Sequence, residues 1–248
     1  MRPQVIAVAG KGGTGKTTLA ALIIQALRAP GPVLAVDADP NSSLAPMLGV
    51  ECPVTISDAR EQMMQEKYDV TAVPKGDRME LLISECIVEA DGFDLITMGR
   101  PEGKSCYCAV NNMIRRTLAA LRSSYAATVV DNEAGMEHLS RMNTDDVDCM
   151  LLVSEPTISS ARSIRRIAEL ADNLGVAVRR RVLVWNKVTG DIPERVKDEA
   201  RVRADETVML PQDGALATLA DEGSVFGIEM PAALRGLPEI CGFAVARN

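Results

Sequence analysis

The sequence predicts an α/β fold in which a mostly parallel, twisted sheet carries helices on both faces, so that three α/β/α layers result. Short apolar, β-branched runs recur along the chain, and stretches with helical spacing or turn residues separate them. A glycine-rich loop joins the first run to the first helical stretch. Strands buried on both faces that alternate with helices are typical of parallel sheets, whose ligands bind at the carboxyl ends of the strands.

The predicted elements alternate in order along the chain. Strands are expected at VIAVA (5–9), VLAVD (33–37), FDLITM (93–98), TVVD (128–131), MLLV (150–153) and VLVW (182–185), since each run is apolar and β-branched. Helices are expected at about 16–28, 57–67, 110–124, 157–174, 192–203 and 214–222, where apolar residues follow the helical period. No linker or repeat interrupts the pattern, so residues 1–248 are expected to form one domain.

The composition excludes several classes of protein. With 47% hydrophobic and 25% charged residues, the chain is neither disordered nor fibrous. Its 27 basic and 34 acidic residues give a net charge of -7, which disfavours a nucleic-acid partner. No apolar run approaches the roughly 18 residues of a transmembrane helix, and no cleavable leader precedes the first strand. We therefore expect a cytoplasmic protein with no membrane partner and with reduced cysteines.

The segment GKGGTGKT at residues 10–17 has the pattern of a phosphate-binding loop. It follows a predicted strand and opens a predicted helix, which is the context that the motif requires. Its glycines let backbone amides turn toward phosphate oxygens, and the start of the helix adds a positive dipole. Lys16 is expected to reach the β- and γ-phosphates, Thr17 to bind Mg²⁺ and Thr18 to bind a nearer phosphate. The other cradle residues are Gly12, Gly13, Thr14 and Gly15.

Lys11, a second lysine inside this loop, distinguishes it from an ordinary P-loop. The loop resembles the deviant Walker A motif of the P-loop NTPase family that contains MinD, ParA, the arsenite-pump ATPase and the nitrogenase iron protein. The resemblance implies an ATP-driven homodimer in which two nucleotides face each other. It also implies that Lys11 crosses to the partner's nucleotide and neutralises transition-state charge, as an arginine finger does.

Carboxylates follow two of the predicted strands. Asp37 and Asp39 close the second strand, where they are placed to hold the Mg²⁺ shell and to orient attacking water. The resemblance assigns water positioning to Asp39 and support of the metal shell to Asp37. The run from Asp131 to Gly135 resembles a Walker B and switch II segment, which implies that Asp131 approaches Mg²⁺ through water and that Gly135 lies near the γ-phosphate.

The nucleotide base is expected near two later strand ends. Asn186 lies in a run that resembles the base-recognition segment of related GTPases, but Thr189 replaces the aspartate that would pair with guanine. This difference favours ATP over GTP and makes Asn186 a candidate reader of the adenine edge. Pro211, Gln212 and Asp213 either flank the ring or form an ordinary helix cap.

A Cys-x-Cys element, Cys106 and Cys108, lies between a predicted strand and a predicted helix. The helix start, together with Arg100 and Lys104, favours thiolate, the form that binds metal. A twofold dimer would bring two such pairs together and supply four sulfur ligands. Four thiolates suit Zn²⁺ or an iron–sulfur cluster at least as readily as Ni²⁺, so the ligands alone leave the metal open.

The runs GRPEG (99–103), CYC (106–108) and AGMEHLSR (134–141) are similar to those of CooC-type ATPases, which serve nickel insertion into carbon monoxide dehydrogenase. This resemblance extends over nearly the whole chain. It implies a homodimer that hydrolyses ATP to ADP, binds Ni²⁺ between subunits through Cys106 and Cys108, and delivers the metal to apo carbon monoxide dehydrogenase.

Two other functions stay open at this point. The first is an electron-transfer ATPase like the nitrogenase iron protein, although no cysteine lies in residues 131–141 to supply a second cluster ligand. The second is a partitioning ATPase like ParA or MinD. A DNA-facing patch could be formed by Arg162, Arg165, Arg166 and the arginines 179–181, but the interspersed Glu169 and Asp172 favour a solvated helix face.

Overall fold

The computed structural model describes residues 4–29, 31–65, 74–100, 108–132 and 146–242. Its strands are β1 (Gln4–Gly10), β2 (Val33–Ala38), β3 (Val88–Ala90), β4 (Phe93–Thr97), β5 (Ala127–Asn132), β6 (Asp146–Ser154), β7 (Ala177–Val188) and β8 (Glu206–Pro211). Its α-helices are α1 (Lys16–Leu27), α2 (Leu44–Met47), α3 (Ile56–Gln65), α4 (Lys75–Glu85), α5 (Cys108–Arg122), α6 (Ile158–Asn173), α7 (Glu194–Ala200), α8 (Gly214–Glu222) and α9 (Leu237–Ile240). A short 3₁₀-helix covers Ala232–Leu234.

The described strands form one sheet with the order β3-β4-β2-β5-β1-β6-β7-β8. The edge strand β3 pairs antiparallel with β4, and every other described neighbour pair is parallel. The predicted mostly parallel sheet is therefore confirmed. Because β5 lies between β1 and β2, residues far apart in the chain become neighbours at the centre of the sheet.

Helices cover both faces of this sheet, as the sequence predicts. In β1, Val5, Ala7 and Ala9 pack into the core under α3 to α7, whereas Ile6 and Val8 pack into the core under α1 and the C-terminal segment. This alternation follows from the two-residue period of a strand, and it explains why the central strands are apolar throughout. None of the described helices is long and apolar enough to span a membrane.

The structure adds elements that the apolar pattern did not predict, namely α2, α4, α9, β3 and β8. In β8, Leu210 is buried, whereas Thr207 and Met209 are exposed, as an edge strand requires. Strand β7 begins five residues earlier than expected and includes an arginine run at 179–181. Helix α7 ends at Ala200 instead of 203 because Arg201 adopts a left-handed conformation with φ of +38°.

Candidate nucleotide-binding site

The carboxyl ends of the central strands bring the predicted acidic residues together. Asp37 on β2 is in register with Asp131 on β5, and Asp131 is in register with Val8 on β1. On the other side of β2, Asp37 is in register with Thr97. Partners in register on parallel strands project to the same face of the sheet, which here is the face that α1 covers. Two carboxylates therefore lie side by side next to the glycine-rich loop.

The glycine-rich loop needs glycine at specific places. Gly13 and Gly15 have φ of +83° and +89°, a region that other L-residues rarely adopt. A Cβ atom on Gly10 would lie 2.2 Å from the carbonyl oxygen of Val153, and one on Gly15 would lie 2.5 Å from Nδ2 of Asn186. The backbone of Val153 thus leaves no room for a side chain at Gly10, and the positive φ disfavours one at Gly15.

Lys16 and Thr14 hold the loop from within. Lys16 is almost fully buried as a residue, and its Nζ donates to the carbonyl oxygen of Lys11 at 3.3 Å. The Thr14 hydroxyl donates to the same carbonyl at 2.8 Å. Helix α1 begins at Lys16 with no side-chain cap on its free amides, and Thr18 is half-buried in its first turn. A buried cation and uncapped amides at a helix start form a site for an anion such as a phosphate.

Lys11 faces away from the inside of its own loop. It is exposed, and its Nζ donates to the Ser159 hydroxyl at 3.1 Å in the first turn of α6. Gly12 beside it is also exposed, with open space where a Cβ would lie. An outward lysine is available to another molecule, while its crossing to a partner's nucleotide stays a prediction.

The donors expected for Mg²⁺ lie next to one another. The hydroxyls of Thr17 and Ser43 are 3.2 Å apart. Asp37 is fully buried and accepts hydrogen bonds from the backbone amides of Asp39 at 3.0 Å and Leu44 at 2.8 Å. Asp131 is also fully buried, but neither of its carboxylate oxygens accepts a hydrogen bond of normal geometry.

Burial changes the protonation of both carboxyls. It raises the pKa of Asp37 to about 6, although its two backbone hydrogen bonds lower it. It raises the pKa of Asp131 to about 7, and the neighbouring Asp37 adds to this, whereas Thr17 and Lys16 act in the opposite direction. A divalent cation would favour the charged form of both groups. Hard oxygen donors that include an unpartnered buried carboxylate fit Mg²⁺, so these residues are suited to hold it.

Asp39 is oriented by the residues that follow it. Its Oδ1 accepts hydrogen bonds from the backbone amide and from Nδ2 of Asn41, both at 2.9 Å. Arg100, three residues beyond the end of β4, donates from Nη2 to Oδ1 of Asn41 at 2.9 Å and from Nε to the carbonyl of Pro40 at 3.1 Å. The Asp39 turn is therefore joined by hydrogen bonds to the segment that leads to the cysteines.

Asn186 and Lys187 support the glycine-rich loop from the end of β7. Nδ2 of Asn186 donates to the carbonyl of Thr14 at 2.8 Å. Lys187 has φ of +57°, and its Nζ donates to the carbonyl of Gly13 and to Oε1 of Glu155, each at 2.7 Å. Asn186 thus contacts the loop through its amide nitrogen, and its expected contact with adenine stays a prediction.

The segment after β8 includes a helix cap. Oδ1 of Asp213 accepts from the Leu216 amide at 3.0 Å at the start of α8. Pro211 ends β8 and Gln212 is exposed, with its amide bonded to the carbonyl of Val188 at 3.1 Å. The helix-cap interpretation of Asp213 therefore holds in the structure, and the proposed contact of these three residues with a base stays untested.

The cysteine pair is only partly within the described structure. Cys108 is the first residue of α5, which agrees with its expected place at a helix start. Cys106 lies outside the described residues, as do Lys104 and the segment 133–145 with Gly135. Within the described ranges, no group of three or more histidine, cysteine or acidic side chains could hold a metal ion. The nickel site therefore stays a prediction.

Sequence reasoning missed three residues that contact the predicted site: Ser43, Glu155 and Ser159. Ser159 and Glu155 lie at the junction of β6 and α6, where no recognised motif marks them. Ser43 had a weak signal, since it follows the Asp37 to Asn41 turn by two residues and immediately precedes a short helix. All three residues reach the site only because the folded sheet brings the ends of different strands together.

This fold and loop define a nucleotide-binding protein of the P-loop class. The model of the CobQ/CobB/MinD/ParA nucleotide-binding domain family matches residues 5–226, so the chain belongs to that family. It is 40% identical to an uncharacterized ATP-binding protein of Methanocaldococcus jannaschii over 202 residues, which is 80% of each chain. It is 32% identical to the carbon monoxide dehydrogenase accessory protein CooC of Rhodospirillum rubrum over 184 residues, 69% of this chain and 70% of that one.

Solved structures resemble the fold as well. The cell division ATPase MinD of Pyrococcus furiosus superposes with a TM-score of 0.66 at 22% identity, covering 96% of this chain and 98% of that one. A ParA-family ATPase of Chlorobium tepidum gives a TM-score of 0.64 at 18% identity, covering 95% and 93%. At these identities the likeness is one of fold.

Proposed function

We propose that the protein is an ATP-hydrolysing homodimer that binds Ni²⁺ through Cys106 and Cys108 and assists nickel insertion into carbon monoxide dehydrogenase. The single observation that carries the proposal is the hydrogen-bonded path from Asp39 through Asn41 to Arg100. It joins the candidate water-positioning carboxylate to the segment that leads to the cysteines. The 32% identity to CooC supports the choice of metal and target.

The phosphate chemistry follows from the residues at the strand ends. In hydrolysis a water oxygen attacks the γ-phosphorus, and the bond to the bridging oxygen breaks, so that ADP and phosphate leave. Lys16 and the start of α1 bind the phosphate oxygens, and Asp39 orients the water. Thr17, Asp37 and Asp131 would hold Mg²⁺, which when bound neutralises charge on the phosphates.

Dimerisation would complete both sites. Each Lys11 would leave its own Ser159 and neutralise charge on the partner's nucleotide. A twofold axis near the same edge of the sheet would bring two Cys106–Cys108 pairs together as four thiolate ligands. Loss of the γ-phosphate would free the Asp39 turn, and Arg100 would carry that change toward the cysteines. Thiolates also suit Zn²⁺, which would compete with Ni²⁺.

A partitioning ATPase is the main alternative function. The fold likeness to MinD and ParA proteins supports it. A pairwise identity of 28% over 161 residues to the maintenance of carboxysome distribution protein A of Synechococcus elongatus supports it as well. That function would not require Cys106 and Cys108, so the cysteines distinguish the two.

The test is anaerobic nickel binding by the full chain, with mass measured with and without ATP. We expect one Ni²⁺ per dimer, lost in Cys106→Ser/Cys108→Ser but retained in Cys52→Ser, a matched control in a half-buried thiol. Asp39→Ala should bind ATP, remain dimeric and fail to hydrolyse it. A cysteine-dependent iron–sulfur spectrum without nickel would instead favour the electron-transfer function, and no bound metal would favour the partitioning function.

A further inference from the structure

A groove lined by arginines lies between α6 and α7, outside the nucleotide site. Its volume is about 590 Å³, within the range of ligand pockets. We refer to it as the arginine groove. The described residues that line it are all charged: Arg162, Arg165, Arg166, Arg195, Asp198, Glu199 and Arg201. Five cations against two carboxylates give it a net positive charge in a chain whose total is -7.

The groove already binds one carboxylate of its own chain. Glu199 accepts two hydrogen bonds from Arg162, from Nε at 3.1 Å and from Nη2 at 3.0 Å. Arg165 lies 3.7 Å from the same carboxylate. This paired contact is the geometry in which a guanidinium recognises a planar carboxylate. The internal pair therefore indicates that the neighbouring arginines are also placed to bind carboxylates.

Three arginines of the groove make no ion pair among the described residues, and one of them, Arg201, donates from Nε to the backbone carbonyl of Asp198 at 3.0 Å. Arg166 on α6 and Arg195 on α7 are both exposed, and neither makes a hydrogen bond or ion pair within the described part of the chain. In the run 179–181, by contrast, each arginine is paired with an acidic residue, and these are Asp148, Glu206 and Asp172. Arg166 and Arg195 therefore place two unpaired positive charges in the arginine groove.

We propose that the arginine groove docks an acidic segment of a partner protein, whose carboxylates are received by Arg166 and Arg195. A short peptide segment can lie in an open groove of about 590 Å³, and an exposed guanidinium gains most from a carboxylate that it contacts with two hydrogen bonds. A nucleic acid is disfavoured because Asp198 and Glu199 interrupt the positive surface.

The position of the groove connects docking to the nucleotide site. Arg162 lies one helical turn beyond Ser159, which accepts the hydrogen bond of Lys11. A partner seated in the groove would therefore contact the helix on which Lys11 rests. Among the described residues, none that we assign to the phosphate or magnesium site lines the groove.

The test measures anisotropy of a labelled poly-glutamate peptide on the nucleotide-free full chain. We expect saturable binding that weakens as salt rises to about 0.3 M, and no binding of the matched poly-glutamine peptide. Arg166→Ala/Arg195→Ala should weaken the affinity about tenfold, since two charged contacts are lost. Arg116→Ala/Arg203→Ala removes two exposed arginines outside the groove and should bind as the wild type does.

Several results would overturn the proposal. One is equal binding of poly-glutamine, and another is an unchanged affinity in Arg166→Ala/Arg195→Ala. Absence of binding at about 1 mM peptide would do the same, because that affinity is too weak for a docking site. If duplex DNA displaced the peptide and its own binding required Arg166 and Arg195, the groove would be a nucleic-acid surface instead.

Discussion

Replacing Asp131 with asparagine should favour the folded state of the metal-free protein more at pH 8 than at pH 5.5. In the folded chain, burial raises the pKa of Asp131 from 3.8 to about 7. The unfolded chain keeps the ordinary value, so folding must hold a carboxyl group in its neutral form or leave a charge buried. Below pH 3.8 the carboxyl group is neutral in both states, and the full stability of the folded protein is present. This stability is lost as pH rises toward 7, because the unfolded chain then gains from ionising the group.

The pKa shift sets the size of the effect. A shift of about three units costs about 4 kcal/mol at pH 8, because each unit is worth 1.36 kcal/mol. At about pH 5.5 the folded carboxyl is protonated and the cost falls to about 2 kcal/mol. The uncharged amide of Asp131→Asn is insensitive to pH. The free energy of unfolding of Asp131→Asn, relative to that of the wild type, should therefore rise by about 2 kcal/mol between pH 5.5 and pH 8.

The assay is urea unfolding of wild type and variant at both pH values in the presence of a chelator. The acidic measurement is the internal control, since any packing cost of the amide is the same at both pH values. Adding Mg²⁺ and nucleotide at pH 8 should stabilise the wild type more than the variant, because the metal removes the cost of the buried charge. A difference in unfolding free energy that does not change with pH would refute the burial argument.

Three further substitutions test other parts of the site. Gly10→Ala should lower the free energy of unfolding by about 1–3 kcal/mol, because its Cβ would overlap the carbonyl of Val153. Gly12→Ala adds the same methyl group in open space and should leave the free energy of unfolding unchanged. Thermal unfolding without nucleotide compares the two variants. Asn186→Ala removes a hydrogen bond to the glycine-rich loop and should weaken nucleotide binding several-fold by titration calorimetry, with little loss of stability. Arg100→Ala should leave nucleotide affinity intact but reduce hydrolysis several-fold in a phosphate-release assay, and an unchanged rate would refute its coupling role.

The parts of the fold that the sequence predicted correctly are those buried on both faces. The central strands are apolar throughout because helices cover both sides of them, and this pattern is local and easily recognised. Helix α4 was missed because only Met79, Leu82 and Ile83 of its residues are buried and Gly76 lies in its first turn. Strand β8 was missed because an edge strand exposes half of its side chains.

The candidate site likewise has parts that the sequence predicted and parts that it did not. The glycine-rich loop and the carboxylates at strand ends were predictable, since a local motif and a general rule for parallel sheets specify them. The contacts of Lys11 with Ser159 and of Lys187 with Glu155 were not, because each joins elements that are distant in sequence. The arginines of α6 were interpreted as a solvated face, and only the packing of α7 against α6 reveals that they line a groove.

The strand order also determines when during folding the site comes into existence. Asp37 and Asp131 are 94 positions apart in the chain, and they become neighbours only after β5 has inserted between β1 and β2. A nascent chain that ends before β5 carries a complete glycine-rich loop but lacks one carboxylate of the pair. Loops closed over such distances form slowly. In the function we propose, both carboxylates hold the metal, so binding of a metal–nucleotide complex would require that β5 has joined β1 and β2, and the ligand would stabilise molecules that have reached that stage.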